Sequence, residues 1–275
     1  MRTRVHEMRL VGTHEREDRL ATEEPLEIRC AWPSSPARRV AVTMRTPGHD
    51  FELATGFLFA EGVLAGSDAL DRVAYCTDRT LTPAQEFNVV TVDLNVPPIR
   101  EPAPRYAGTT AATSACGVCG TESIDDVLAL MDGHRVGAAH PVVDAAVIRA
   151  LPERLRAAQR VFDSTGGLHA AGLFDASGEP LVVREDIGRH NAVDKVVGAR
   201  LLACEAPGAP VLAVSGRIGF EIVQKAVAAG VGVLAAVGAP SSLAVDLARR
   251  AGLCTIGFAS ADRFVTYTVP ERVGV

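Results

Sequence analysis

The sequence has no second Cys-x-x-Cys pair, no His-x-Glu, no GxGxxG or GxxxxGK[ST] run, no long apolar stretch and no surplus of basic charge. Each absence excludes something. The net charge is −5 over 275 residues, which argues against nucleic-acid binding through a general basic surface. The N-terminus, Met-Arg-Thr-Arg-Val-His-Glu-Met, sets acids close behind its bases without an apolar core, so it does not read as a signal peptide. Apolar runs are short and broken by glycine, so no segment is expected to span a membrane. The expected location is the cytoplasm. Of six cysteines, Cys30, Cys76, Cys204 and Cys254 stand alone among apolar neighbours. They are expected to be buried, reduced thiols, not a disulfide framework. With 48% hydrophobic and 22% charged residues, the chain can build one large domain or two ordinary ones.

The remaining two cysteines are close together. Cys116 and Cys119 lie in Ser-Ala-Cys-Gly-Val-Cys-Gly-Thr-Glu-Ser (114–123). Gly108 to Ala115 is all Gly, Ala, Ser and Thr, with no side chain large enough to bury a thiol. Ser123 and Asp126 read as a capping box for a helix over 124–131. Both thiols therefore fall just outside a helix N-terminus, whose dipole favours an anion by roughly 0.3–1 kcal/mol. Lowering a thiol pKa from ~8.5 by ~1.5 units makes about half of it thiolate at neutral pH. Structural zinc usually needs two such pairs. A zinc deaminase would show His-x-Glu ahead of Pro-Cys-x-x-Cys, and Ala115 stands where that proline would be. A thioredoxin-type pair sits at the start of a small βαβ unit, whereas here the α/β pattern comes afterwards. A nucleophilic thiolate on a mobile arm fits the surroundings, with sulfane sulfur as its natural cargo. No metal site is expected.

Around the pair, the chain divides into three parts. Residues 1–107 read as a small α+β unit, with strands at Leu26–Cys30, Arg39–Met44, Val73–Cys76 and Asn88–Leu94 and a helix over Phe51–Leu64. Prolines 97, 98, 102 and 104 mark a linker. The flexible Cys-x-x-Cys loop spans 108–123. Residues 124–275 read as a three-layer α/β unit. Its strands are expected at Ala170–Phe174, Leu181–Arg184, Pro210–Val214, Val231–Val237, Cys254–Phe258 and Phe264–Val269. Its helices are expected at Asn191–Cys204, Ile218–Ala229 and Ser242–Ala251, the first capped by Asn191 and Asp194.

In an open α/β sheet, ligands gather beyond the carboxyl ends of the strands. The turns expected there hold Arg189 and His190, Ser215 and Arg217, Ser241, and Phe258-Ala259-Ser260-Ala261-Asp262-Arg263. Helix N-termini and three arginines on one rim suit a phosphate or pyrophosphate. Asp186 and Asp262 are candidates to accept from a base edge such as guanine. His169 opens the hairpin strand, and His49 is expected at the surface.

Several runs together carry a family likeness: Cys116-Gly-Val-Cys119-Gly, Thr165-Gly-Gly-Leu-His169, the twelve-residue run Arg184 to Lys195, Ser215-Gly-Arg217, and Gly257 to Arg263. With Pro47-Gly48-His49-Asp50 and Thr55-Gly56-Phe57-Leu58, they cover nearly the whole chain. The sequence resembles the formate dehydrogenase accessory sulfurtransferases, the FdhD family. The resemblance implies a cytidine-deaminase-like fold without the deaminase zinc, and a homodimer. It implies a sulfurtransferase that carries sulfur from a cysteine desulfurase to the molybdenum cofactor of formate dehydrogenase, a bis(molybdopterin guanine dinucleotide). That cofactor binds transiently, none is permanently held, and GDP should mimic part of it. By family pattern Cys116 bears the persulfide, Cys119 assists, and Phe258–Arg263 touches the cofactor. The run Ala259-Ser-Ala-Asp262 holds less glycine than the family pattern. A dithiol–disulfide oxidoreductase and a non-catalytic cofactor chaperone are the competing readings.

Overall fold

The computed structural model describes residues 1–78, 81–83, 85–102, 136–137 and 140–274. The chain opens with a hairpin of β1 (Arg2–Met8) and β2 (Thr13–Arg19), turned at Gly12 with φ 79°. Period-2 apolar alternation could not reveal it, because the ribbon is held by cross-strand hydrogen bonds and charge pairs such as Arg2–Glu17. A four-stranded sheet follows, in the order β4-β3-β6-β5. It is built from β3 (Glu24–Trp32), β4 (Ser35–Arg45), β5 (Leu70–Tyr75) and β6 (Val89–Leu94). Helix α1 (Asp50–Ala60) stops four residues short of the expected Leu64. Gly62 takes φ 69°, and the Val63 and Leu64 amides turn back to the Leu58 carbonyl.

The second unit centres on a six-stranded sheet in the order β13-β12-β11-β10-β8-β9. Its strands are β8 (His169–Phe174), β9 (Pro180–Asp186), β10 (Val211–Val214), β11 (Val233–Ala236), β12 (Cys254–Gly257) and β13 (Val265–Thr268). The three central strands β10, β11 and β12 run parallel, and β8 lies antiparallel to β10. β8 and β9 form an antiparallel hairpin whose turn places Gly178 at φ 80°. Two short strands, β7 (Val143–Asp144) and β14 (Val273–Gly274), pair beside it.

One face carries α4 (Arg189–Leu202), α5 (Phe220–Ala228) and α6 (Ser242–Ala251). Helix α6 has the expected ends: Ser241 Oγ accepts from the Ala244 amide at 3.2 Å, and Gly252 closes it at φ 70°. The other face is covered by α2 (Ala145–Ala157), which sequence periodicity did not single out. Asp144 caps it, accepting from the Ala146 amide at 2.6 Å, and Ile148, Leu151 and Leu155 face the sheet. A short α3 (Arg160–Thr165) follows.

Two corrections concern α4 and the cysteines. The helix starts at Arg189 after Gly188, and no side chain caps it. Asn191 and Asp194 lie inside it, drawn to buried partners: Asn191 Nδ2 donates to Asp186, and Asp194 accepts from Lys225. Cys30 and Cys254 are buried as expected, and burial pushes both thiols up to about 12. Cys76 is only partly buried, and Cys204, at φ 56° just past α4, is exposed.

One hydrophobic cluster runs from β3 and β6 through α1 to α4, α5, α6 and the inner face of the large sheet. Its tightest seam is between α1 and α4. A Cβ on Gly56 would overlap the Asp194 carbonyl oxygen, and one on Gly198 would overlap that of Glu52. The two helices touch backbone to backbone. Gly198→Ala is therefore expected to cost about 1–3 kcal/mol through overpacking, seen as a lower urea midpoint. Gly219→Ala, where an added Cβ meets nothing within 4 Å, should leave the midpoint in place. Equal midpoints for the two variants would contradict this seam.

Candidate functional site

The rim at the carboxyl ends of β10, β11 and β12 is closed on one side by the hairpin. Because β8 runs antiparallel to β10, its first residue, His169, reaches the same edge, opposite Asp186 at the end of β9. Main-chain bonds stitch the loops of this rim together. The Gly238 amide donates to the Gly216 carbonyl and the Phe258 amide to the Gly238 carbonyl, each at 3.2 Å. Ile218 and Ser241 bond to Ala239 and Ile218 in turn. Gly238 has no room for a side chain, since a Cβ would press the Gly216 carbonyl oxygen at 2.8 Å.

The run Arg184–Lys195 explains why the rim stands where it does. Most of its polar atoms are spent on scaffolding. Arg184 makes a two-pronged ion pair with Glu52 of α1, at 2.6 and 2.7 Å. Glu185 accepts from the Val161 and Phe162 amides and so caps α3. Asp186, fully buried, accepts from Lys195 Nζ at 2.7 Å, from the Gly188 and Thr46 amides, and from Asn191. Asp186 is thus not available to a base edge, contrary to expectation. Its lone pairs are used inside the protein.

Arg189 and His190 are what the run leaves over. The Arg189 Nε is buried without a hydrogen-bond partner. His190 Nε2 lies 2.5 Å from a Glu221 carboxylate oxygen of α5, outside regular hydrogen-bond geometry. Below it, Lys225 Nζ holds both oxygens of Asp194 at 2.7 and 3.0 Å. Burial nevertheless pushes the Asp194 carboxyl up to about 6, against the pull of Lys225. Neither Glu221 nor Lys225 was foreseen, although their i,i+4 spacing on one helix matches that of His190 and Asp194 on the next.

The other expected residues sort as follows. Ser215 Oγ accepts from the Ala170 amide at 2.9 Å and keeps its proton to donate. Arg217 is exposed. Phe258 takes φ 54° and is 40% exposed, while Ala259 is buried with its amide on the Ala236 carbonyl. Ser260 and Arg263 close a turn on each other, which leaves Ala261, Asp262 and the Arg263 side chain exposed at its tip. Among the described residues, Arg189, Arg217 and Arg263 take part in no ion pair, whereas Arg45, Arg184 and Arg200 do. Helices α4 and α5 both begin at this rim with glycine and no side-chain cap. Uncapped helix N-termini and guanidinium groups without an acidic partner are the donor chemistry that suits a polyanion. His49, outside the rim, is exposed and 3.2 Å from Glu52.

Cys116, Cys119, the Ser123–Asp126 cap and the 124–131 helix lie outside the described residues. The chain on either side is anchored: Ile99 bonds to the Val63 carbonyl, and Val136 to that of Ala251 at the end of α6 away from the rim. Among the described residues, no helix is long and apolar enough to cross a membrane.

The model of the FdhD/NarQ family matches residues 21–274. The chain is 46% identical over 282 positions to a sulfur carrier protein FdhD of Streptomyces coelicolor, covering 100% of this chain and 95% of the relative. It is 48% identical over 262 positions to that of Mycobacterium tuberculosis, covering 94% and 92%. A crystal structure described as a formate dehydrogenase accessory protein of Desulfotalea psychrophila superposes with a TM-score of 0.75 at 22% identity, over 100% of this chain and 99% of that one.

The buried pair at the root of the rim can be tested directly. Lys195→Met removes the cation from the fully buried Asp186 and is expected to cost about 3–5 kcal/mol. Arg217→Ala, at an exposed position, should stay within about 0.5 kcal/mol of wild type. Chemical denaturation of both variants checks the contrast.

Proposed function

The chain belongs to the FdhD/NarQ family, and on that premise we propose that it is a sulfur carrier accessory to formate dehydrogenase. In this reading it is a cytoplasmic homodimer that takes sulfane sulfur from a cysteine desulfurase. The Cys116 thiolate attacks the terminal sulfur of the donor's persulfide. A new S–S bond forms at Cys116, the donor's S–S bond breaks, and the donor leaves as thiolate. No net oxidation occurs. Cys119 stabilises the persulfide or helps release its sulfur.

The cargo's destination is a bis(molybdopterin guanine dinucleotide), which enters as substrate and is not kept. The observation that carries this is the set of rim arginines, 189, 217 and 263, without an acidic partner among the described residues. A dinucleotide cofactor offers pyrophosphates for those guanidinium groups and for the amides of α4 and α5. Arg189, His190, Ser215, Arg217 and Phe258–Arg263 are the residues we assign to it, with Asp262 free to meet a guanine. We read the six-stranded unit (124–275) as a deaminase-like domain without the zinc ligands, beside an N-terminal unit (1–107) and a carrier loop (108–123).

Mass spectrometry after incubation with a desulfurase and cysteine should show the wild type heavier by one sulfur and Cys116→Ala unchanged. Equal sulfur on both would sink the assignment, and formate dehydrogenase maturation by a Cys116→Ala, Cys119→Ala double variant would favour a non-catalytic chaperone. For the rim, GDP should bind the wild type. Arg189→Ala or Arg263→Ala should weaken it by about ten- to a hundredfold, in keeping with roughly 1.5–3 kcal/mol for a charged hydrogen bond. Unchanged affinity in calorimetry would put the nucleotide elsewhere.

A further inference from the structure

His169 stands at the rim with no part in the account so far. It opens β8, is half-buried, and its ring borders the space above Gly216. A Cβ built on Gly216 would meet His169 Nδ1 at 3.3 Å and Arg189 Cδ at 3.7 Å. The bare glycine therefore leaves a small cradle walled by an imidazole on one side and an arginine stem on the other. A phosphate drawn to Arg189 and the Gly216 backbone sits against that imidazole.

We propose that His169 is a ligand contact of this rim whose protonation is coupled to anion binding: a pyrophosphate seated at Gly216 and Arg189 draws a proton from solvent onto the imidazole. The inference rests on the rim reading above. Four causes act on His169 in the free protein. Burial, then the Arg189 guanidinium and the neighbouring His190 of α4, hold it below its ordinary 6.5, and only Asp186 of β9 works the other way. Asp186 is itself neutralised by Lys195. A bound pyrophosphate adds two negative charges beside a ring that faces the Arg189 guanidinium, so the imidazolium is favoured in the complex. The sign follows from linkage. The free protein holds His169 neutral at pH 7, the complex holds more protons, and affinity rises as pH falls. His169 is thus a specificity-determining residue: it adds a cation only when the polyanion is present, and leaves the empty rim less charged.

The probe is GDP-mannose, a pyrophosphate diester whose phosphates keep a fixed charge between pH 5 and 8. Calorimetry in buffers of different ionisation enthalpy should show proton uptake by the wild type. Its affinity should rise by at most about tenfold per pH unit as pH falls from 8, the limit for one proton. His169→Gln should bind more weakly at pH 6 with little uptake. Binding without uptake, or equal uptake by the variant, overturns the proposal and leaves the rim standing; no binding at all overturns both. A readout on the wild type alone is the NMR titration of the His169 ring. Its midpoint should move up when GDP-mannose saturates the protein, and an unmoved midpoint overturns the coupling.

Discussion

The Asp186 carboxylate, closed off from water and gripped by Lys195, is the interaction on which the rest of the structure depends. A buried charge pair is tolerated only when its remaining lone pairs and protons are also satisfied. Here that requirement recruits parts of the chain far apart in sequence. Lys195 Nζ also donates to the Thr46 carbonyl, and Asn191 bridges Asp186 to the Met44 carbonyl. The end of β9, the first turns of α4 and the turn leading into α1 thus share one electrostatic knot. With the Gly56–Gly198 contact beside it, the knot makes the N-terminal unit part of the foundation of the rim.

That arrangement separates two populations of arginine. Arg45 grips both oxygens of Asp50 at 3.0 and 2.9 Å and also Asn88, and Arg184 grips Glu52. Their positive charge is consumed inside the protein. Arg189, Arg217 and Arg263 are the same chemical group without an acid within reach among the described residues. Whether the fold brings a carboxylate to a guanidinium is a property of tertiary structure.

This is also where legibility in the sequence ended. The strand-to-helix turns, the Ser241 and Gly252 ends of α6 and the clustering of 189, 215, 217 and 258–263 at one edge were all readable, because turn chemistry and strand order are local or follow from topology. Asn191 and Asp194 looked like caps because such residues favour helix starts. The fold overrode that preference by offering each a buried partner. Asp186 looked like a free acceptor for the same reason in reverse. Helix α2 escaped notice although Asp144 and the Ile148, Leu151, Leu155 spacing mark it; Pro152 within it interrupts the usual pattern. The β1–β2 ribbon carries no apolar stripe at all. For the cysteine pair, sequence surroundings and family likeness point to sulfur carriage, and both thiols lie outside the described residues.

The stitched loops of the rim have a consequence for how the protein can vary. Gly216, Gly238 and Phe258 are joined carbonyl to amide, strand end to strand end, so the three loops share one frame. An insertion in any of them would throw its neighbours out of register, much as a changed tooth disturbs a gear train. Drift in length is tolerable only where a loop leaves that frame, at the Ala261–Asp262 tip. Diversification among descendants of such a chain would therefore be written in side chains at the tip, on a rim whose spacing stays constant.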